Sequence, residues 1–277
     1  MTARLRCPQR TLDLQQPLVM GVLNLTPDSF SDGGRYLEPE QARLRAADLE
    51  AQGAAIIDLG GESTRPGAAP VPVAEELRRV LPLLQSLHAN SRAVLSVDTS
   101  KPEVMRAAAA AGADLINDVY ALRAPGALAA AAETGCAVCL MHMQGEPRTM
   151  QLAPHYTDVV AEVRAFLAER VAACRAAGIA DERIVLDPGF GFGKTLEHNL
   201  TLLSRLSELR IDGLPILAGL SRKSMIGTLT GKAPAERVHG SVAAALIAAQ
   251  NGADILRVHD VAATVDALKV LSAVVRR

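Results

Sequence analysis

Short apolar runs recur along the chain, and most of them stop on a group that can bind or move charge. PLVMGVLN ends on Asn24, AAIIDLGG carries Asp58, AVLSVD ends on Asp98, and DLIND supplies Asn117 and Asp118. AVCLMH reaches His142, RIVLD reaches Asp187, PILAGLSRK runs into Ser221 and Lys223, and DILRVHD delivers Arg257 and His259. Such runs, rich in Val, Ile and Leu, predict strands buried on both faces, and the Ala-rich stretches of helical period between them predict helices. About eight strand–helix units predict an α/β fold of the closed (β/α)8 barrel type, with the polar run ends gathered at the C-terminal mouth, where barrels of this kind place their chemistry. The pattern therefore predicts an enzyme acting on small molecules.

The segmentation is regular. Residues 2–17 predict a short hairpin capping the barrel floor. Helices are expected near 39–51, 73–88, 125–133, 159–177 and 236–251, the last apolar over more than one face. Thr99 or Ser100 is the expected cap of the helix that begins around Pro102. Two polar loops, 25–36 and 60–72, are long for barrel connections, and loops of that length usually cover or bind ligands. With 277 residues and no linker, the chain reads as a single domain over 1–277.

Composition narrows the function classes. The formal net charge is -1, from 29 basic and 30 acidic residues. No basic stripe marks a nucleic-acid face. No run is long and uncharged enough to span a bilayer, and the N-terminal residues lack a secretory apolar stretch, so the expected location is cytoplasmic. Four cysteines do not make a disulfide framework. Cys136 and Cys139 spell C-x-x-C, but they lie on a predicted strand, where a separation of three points side chains to opposite faces. They read as buried small residues.

Arg257 and His259 are two apart on one strand and so share a side at the mouth, where guanidinium and imidazole together suit an anion. The alternative is that Arg257 only pairs with an acidic neighbour. Asn24 offers a neutral oxygen of the kind that serves as a single protein ligand to Mg2+, an ion that takes further oxygens from water and phosphate; a loop-capping role is equally open. Asp98, Asn117 and Asp187 end three strands, and carboxylates there need hydrogen-bond donors, which a flat heterocycle with adjacent N–H groups supplies. Lys223 suits the acceptors of such a ring; a structural salt-bridge network is the alternative. GFGFGKT at 189–195 falls one residue short of a phosphate-binding P-loop, because Pro188 stands where its first glycine belongs. It reads instead as a flexible loop that lets a ring approach backbone. His142 is a candidate pocket residue, whereas His88, His155 and His198 read as surface residues.

Taken together, MGVLNLTPDSFSDGG (20–34), GAAIIDLGGESTRPGA (53–68), SVDTSKPEV (96–104), INDV (116–119), LMHMQG (140–145), LDPGFGFGK (186–194), GLSRKSMIG (219–227) and RVHDV (257–261) resemble the dihydropteroate synthases, the folate-pathway enzymes that sulfonamides inhibit. The resemblance runs over nearly the whole chain. It implies a TIM barrel that joins 6-hydroxymethyl-7,8-dihydropterin diphosphate to 4-aminobenzoate, giving 7,8-dihydropteroate and pyrophosphate. It further implies that Asn24 holds Mg2+ and that Thr64, Arg257 and His259 bind the diphosphate, with Arg257 also stacking on the pterin. Asp98, Asn117, Asp187 and Lys223 would bond the pterin edges, with Met141 packed on the ring. Phe30, Arg65, Pro66, Phe192 and Ser221 would build the aminobenzoate site. Arg257, His259, Lys223 and Asp98 are the expected catalytic groups, and a homodimer is the expected assembly. Two rival readings are a non-catalytic pterin-binding homologue and a Schiff-base lyase using Lys223, although the sequence around SRKS offers no reason for a lowered lysine pKa.

Overall fold

The structure, a computed structural model, describes residues 4–26, 38–63, 69–146 and 149–275. Its frame is a ring of eight parallel strands: β3 (Leu18–Asn24), β4 (Ile56–Gly60), β5 (Val94–Asp98), β6 (Leu115–Asp118), β7 (Ala137–Met141), β8 (Ile184–Asp187), β9 (Leu217–Ala218) and β10 (Ile255–Val258). Neighbours in sequence pair throughout, and β10 returns to β3 with Arg257 opposite Met20. β9 is only two residues long, and a parallel bridge between Leu186 and Ile216 closes the ring beside it. The prediction of a TIM barrel holds.

The helices occupy the outer layer: α1 (Glu38–Ala51), α2 (Val73–Asn90), α3 (Pro102–Ala110), α4 (Ala127–Thr134), α5 (Val159–Ala176), α6 (Leu196–Ser204), α7 (Ser224–Thr230), α8 (Val238–Gln250) and α9 (Val261–Val275). Local chemistry sets their ends. Asp158 accepts from Val160 N and Ala161 N at the start of α5, and Thr195 forms a capping box with His198 at the start of α6. Gly126 and Gly135 bracket α4 in left-handed conformations. One expected cap is corrected. The residue before α3 is Lys101, with no side-chain cap bond, because the Ser100 hydroxyl is drawn across to Asp118 and Thr99 Oγ1 accepts only from Lys101 N at 3.3 Å.

Strand alternation divides the core into two. Side chains turned outward, such as Ile57, Leu95, Ile116, Cys136 and Val138, meet the helices. Those turned inward, Met20, Ile56, Val94, Leu115, Ala137, Cys139, Val185, Leu217 and Ile255, fill the lower barrel. The two cysteines thus point to opposite faces, buried and unbridged. The N-terminal hairpin, β1 (Arg4–Arg6) paired antiparallel with β2 (Thr11–Asp13), seals the floor by inserting Leu5, Cys7 and Leu14 into this inner cluster. With the floor plugged by apolar side chains, the polar groups one layer up face a single exit.

Candidate active site

Asp58 anchors the polar layer. Its side chain is fully buried, and it accepts from Ser96 Oγ at 2.6 Å, Asn117 Nδ2 at 3.2 Å and Arg257 Nε at 2.7 Å. Arg257 Nη2 donates to Asp98 Oδ2 at 3.1 Å. Strands β4, β5, β6 and β10 therefore converge on one guanidinium. Pairing of Arg257 with acidic neighbours, posed as an alternative to anion binding, is thus present, and it fixes the plane of the guanidinium.

Burial governs the charges. It pushes Asp98 up to about 8, against the pull of Arg257 and with the support of Asp58, Asp118 and Glu76. Arg257 also loses hydration, but Asp58 and Asp98 more than compensate and hold it protonated. On the opposite wall, burial raises Asp187, with Lys223 and the Gly189 N–H pulling it back; that N–H meets Asp187 Oδ1 at 2.7 Å. Lys223 is lowered to about 8 by burial, with Arg257 adding to the effect and Asp187 opposing it. The sequence offered no sign of this lowered lysine, because the cause is tertiary burial. Lys223 Nζ donates to the Phe190 carbonyl and lies 4.7 Å from the centre of the Phe192 ring. Carboxyls and an ammonium whose charged forms are all penalised would gain from a ligand bringing matched donors and acceptors.

The other candidates fall into place around this pair of walls. Met141 is in register with Asp187 and clusters with Val119, Met143 and Met150, and Phe192 packs against that group. His259 is joined to Ser221, whose Oγ lies 3.2 Å from His259 N and 3.1 Å from Nδ1. Asn24 ends β3 opposite Gly60. Phe30, Thr64, Arg65 and Pro66 lie outside the described residues. A groove of about 400 Å³ between α9 and the start of β3, lined by Pro17, Val265, Leu268 and Lys269, sits at the other end of the barrel, away from these groups.

Two expectations are corrected. His142 does not line the mouth: its ring packs edge-on against Phe166 of α5 at 4.9 Å, and its Nδ1 lies 2.9 Å from Lys194 Nζ. The GFGFGK segment is not a loose loop. A Cβ on Gly189 would collide with the His142 carbonyl and one on Gly193 with the Gln144 carbonyl, and both glycines have positive φ (67° and 62°). The glycines let the loop approach the protein backbone closely. Of the three histidines expected at the surface, His88 and His155 are exposed, while His198 is half-buried against Tyr156. Asp58 stood in its strand run as one polar residue among several; nothing local marked it as the anchor.

Residues 20–259 match the family described as pterin binding enzyme. The dihydropteroate synthase of Escherichia coli K12 is 57% identical over 263 residues, 95% of this chain and 93% of that protein. The chain belongs to the dihydropteroate synthase family. A structure of Xanthomonas albilineans dihydropteroate synthase with 4-aminobenzoic acid superposes with a TM-score of 0.94 at 58% identity, covering 99% of this chain and 98% of that one. A second structure from that organism, in complex with 7,8-dihydropteroate, gives 0.88 at 53% identity with the same coverage.

One pH response follows from His142 behind the pocket wall. Burial, reinforced by Lys194, lowers His142 to about 2, so the folded chain keeps this imidazole neutral where the unfolded chain takes up a proton. Stability should therefore be unaffected by this group above pH ~6.5 and fall by up to about 1.4 kcal/mol per pH unit below it. Urea unfolding at pH 7.5 and 5.5 should show a smaller acid loss in His142→Asn than in the parent chain; equal losses would assign the acid sensitivity elsewhere.

Proposed function

We propose that residues 1–277 act as one catalytic domain that condenses 6-hydroxymethyl-7,8-dihydropterin diphosphate with 4-aminobenzoate, yielding 7,8-dihydropteroate and pyrophosphate. The observation that carries the residue roles is the double anchoring of Arg257 on Asp58 and Asp98 beside the Lys223–Asp187 wall. Asp98, Asn117 and Asp187 take the N–H edges of the pterin, and Lys223 meets its carbonyl and ring-nitrogen acceptors. Asp187 has one oxygen engaged by Gly189, and its second makes no hydrogen bond among the described residues. Met141 packs on the ring face. Arg257, its plane set by the two aspartates, stacks on the pterin and with His259 and Thr64 receives the diphosphate.

Heterolysis of the bond between the pterin methylene and the diphosphate oxygen leaves a cation delocalised into the electron-rich ring. The departing charge is met by preorganised donors on Arg257 and His259. The amine of 4-aminobenzoate attacks the methylene and then loses a proton, so no strong base is needed. Phe192, Ser221, Phe30, Arg65 and Pro66 form the aminobenzoate side, and exclusion of water there protects the cation. Mg2+ fits the donor present: Asn24, at the end of β3, supplies one neutral oxygen of the kind used when phosphate and water complete the shell. Bound there, the ion would neutralise charge on the diphosphate. The lowered Lys223 is compatible with a Schiff-base lyase, but its ammonium is held by the Phe190 carbonyl and the Phe192 ring, and the family relationship favours the synthase.

Among the described residues no helix is long and apolar enough to cross a membrane, and all four thiols are buried and unbridged, in keeping with a cytoplasmic location. The adjacent helices α7, α8 and α9 expose Leu229, Ile247, Val270 and Val274. Apolar residues so exposed support a homodimer through this side. Sedimentation should show a dimer that Ile247→Glu with Val270→Glu converts to a folded monomer; an unchanged mass would place the contact elsewhere or exclude it.

Mass spectrometry of reactions containing chain, Mg2+, pterin diphosphate and 4-aminobenzoate should detect dihydropteroate only when every component is present. Pterin binding without product would instead indicate the non-catalytic homologue. Arg257→Lys keeps a charge but loses the two-sided anchoring, and should lower kcat/KM by about 100-fold or more. Asp187→Asn should weaken pterin affinity, measured calorimetrically, by roughly 10- to 100-fold while sparing pyrophosphate binding. Unchanged pterin affinity in that variant would overturn the role given to Asp187.

A further inference from the structure

Lys194 closes the GFGFGK string, is 3% exposed, and has no part in the chemistry above. Its Nζ lies 3.0 Å from the Gly189 carbonyl, 3.0 Å from the Phe192 carbonyl and 2.9 Å from His142 Nδ1, with the His142 carbonyl at 3.5 Å. A single amine thus gathers the start and the crest of the β8 loop and pins both to the residue that follows β7. Burial lowers the Lys194 pKa well below the ordinary lysine range, with Asp187 opposing the shift and Lys223 adding to it; burial likewise keeps His142 neutral, so that Nδ1 can accept. The positive φ values of Gly189, Gly191 and Gly193 curl the loop around this amine, and Asn199 Oδ1 takes the Gly191 N–H at 2.8 Å. Tyr156 Oη donates to the Gly193 carbonyl at 2.8 Å from the far side.

The curl has a definite product. It turns the Phe190 carbonyl onto Lys223 Nζ and sets the Phe192 ring over the same ammonium. Both groups belong to the loop that curls around Lys194. His142, which the sequence suggested as a pocket residue, instead lies behind the wall with its ring wedged against Phe166.

We propose that Lys194 and His142 form a buried clip that positions Phe192 on the aminobenzoate side of the pocket. Lys194 is a positioning residue, since it acts through the loop and does not reach the substrates. The proposal rests on the assignment of Phe192 to the aminobenzoate side. Among the described residues Asp98, Asn117 and Arg257 of the opposite wall make no hydrogen bond with the clip, whereas Asp187 and Lys223 border the curl, so a loosened curl should disturb aminobenzoate more than the pterin.

Steady-state kinetics of the full chain with both substrates varied, on variants first checked for native circular dichroism, tests this. His142→Asn retains an acceptor oxygen near the place of Nδ1, whereas His142→Leu removes it. The expected result is a rise of about tenfold or more in KM for 4-aminobenzoate in His142→Leu, with a clearly smaller rise in KM for the pterin diphosphate and His142→Asn close to the parent. Lys194→Met should show the same split if it folds; should it fail to fold, the two His142 variants decide the matter. Equal behaviour of the Asn and Leu variants, or a fall in kcat alone from a smaller active fraction, would overturn the clip. Phe192→Ala separates the underlying assignment: if it leaves the aminobenzoate KM unchanged, the assignment of Phe192 has failed, whatever the His142 variants do.

Discussion

The buried ion pair between Arg257 and Asp58 is the constraint around which the mouth of the barrel is arranged. A fully buried carboxylate without a cation would be costly, and a guanidinium without fixed partners would sweep a wide arc. Their 2.7 Å contact, completed by Ser96 and Asn117, removes both problems with residues from four strands. Two of those residues, Arg257 and Asn117, also belong to the proposed pterin and diphosphate sites. The element that satisfies the interior thus also aims the functional groups.

The same economy of position appears on the opposite wall. Lys223 is too deeply placed to keep a full hydration shell, and burial, with Arg257 adding to it, brings it down to about 8. What holds it is a backbone carbonyl and an aromatic face, both delivered by the curled loop after β8. A loop of three left-handed glycines would be floppy in isolation. Here backbone packing against the β7 connection and the amine of Lys194 leave it little freedom.

Stability and function are separated along the barrel axis. The floor is apolar, sealed by Leu5, Cys7 and Leu14 of the hairpin, and the inner side chains just above it are hydrophobic. Polar groups begin one layer higher and grow denser toward the strand ends. This gradient lets the upper layer hold several ionisable groups with penalised charges, because the lower layer supplies the hydrophobic burial that keeps the barrel folded.

Much of this was legible in the chain before any coordinates. Apolar runs separated by helical stretches determined a (β/α)8 barrel with a hairpin at its base, since strand burial on both faces leaves a direct trace in hydrophobicity. The polar run ends named Asp98, Asn117, Asp187, Lys223, Arg257 and His259, because each ends or follows a strand at the same rim, and the long motifs named the family. Tertiary structure alone decided what no local pattern encodes. It made Asp58 the anchor of Arg257, 199 residues away in sequence, and it lowered Lys223 through burial. It also turned His142 outward to Lys194 and moved the cap expected of Ser100 onto Asp118. These outcomes depend on which side chains meet across the barrel and on how much water remains between them, and such distances and desolvation exist only once the ring has closed.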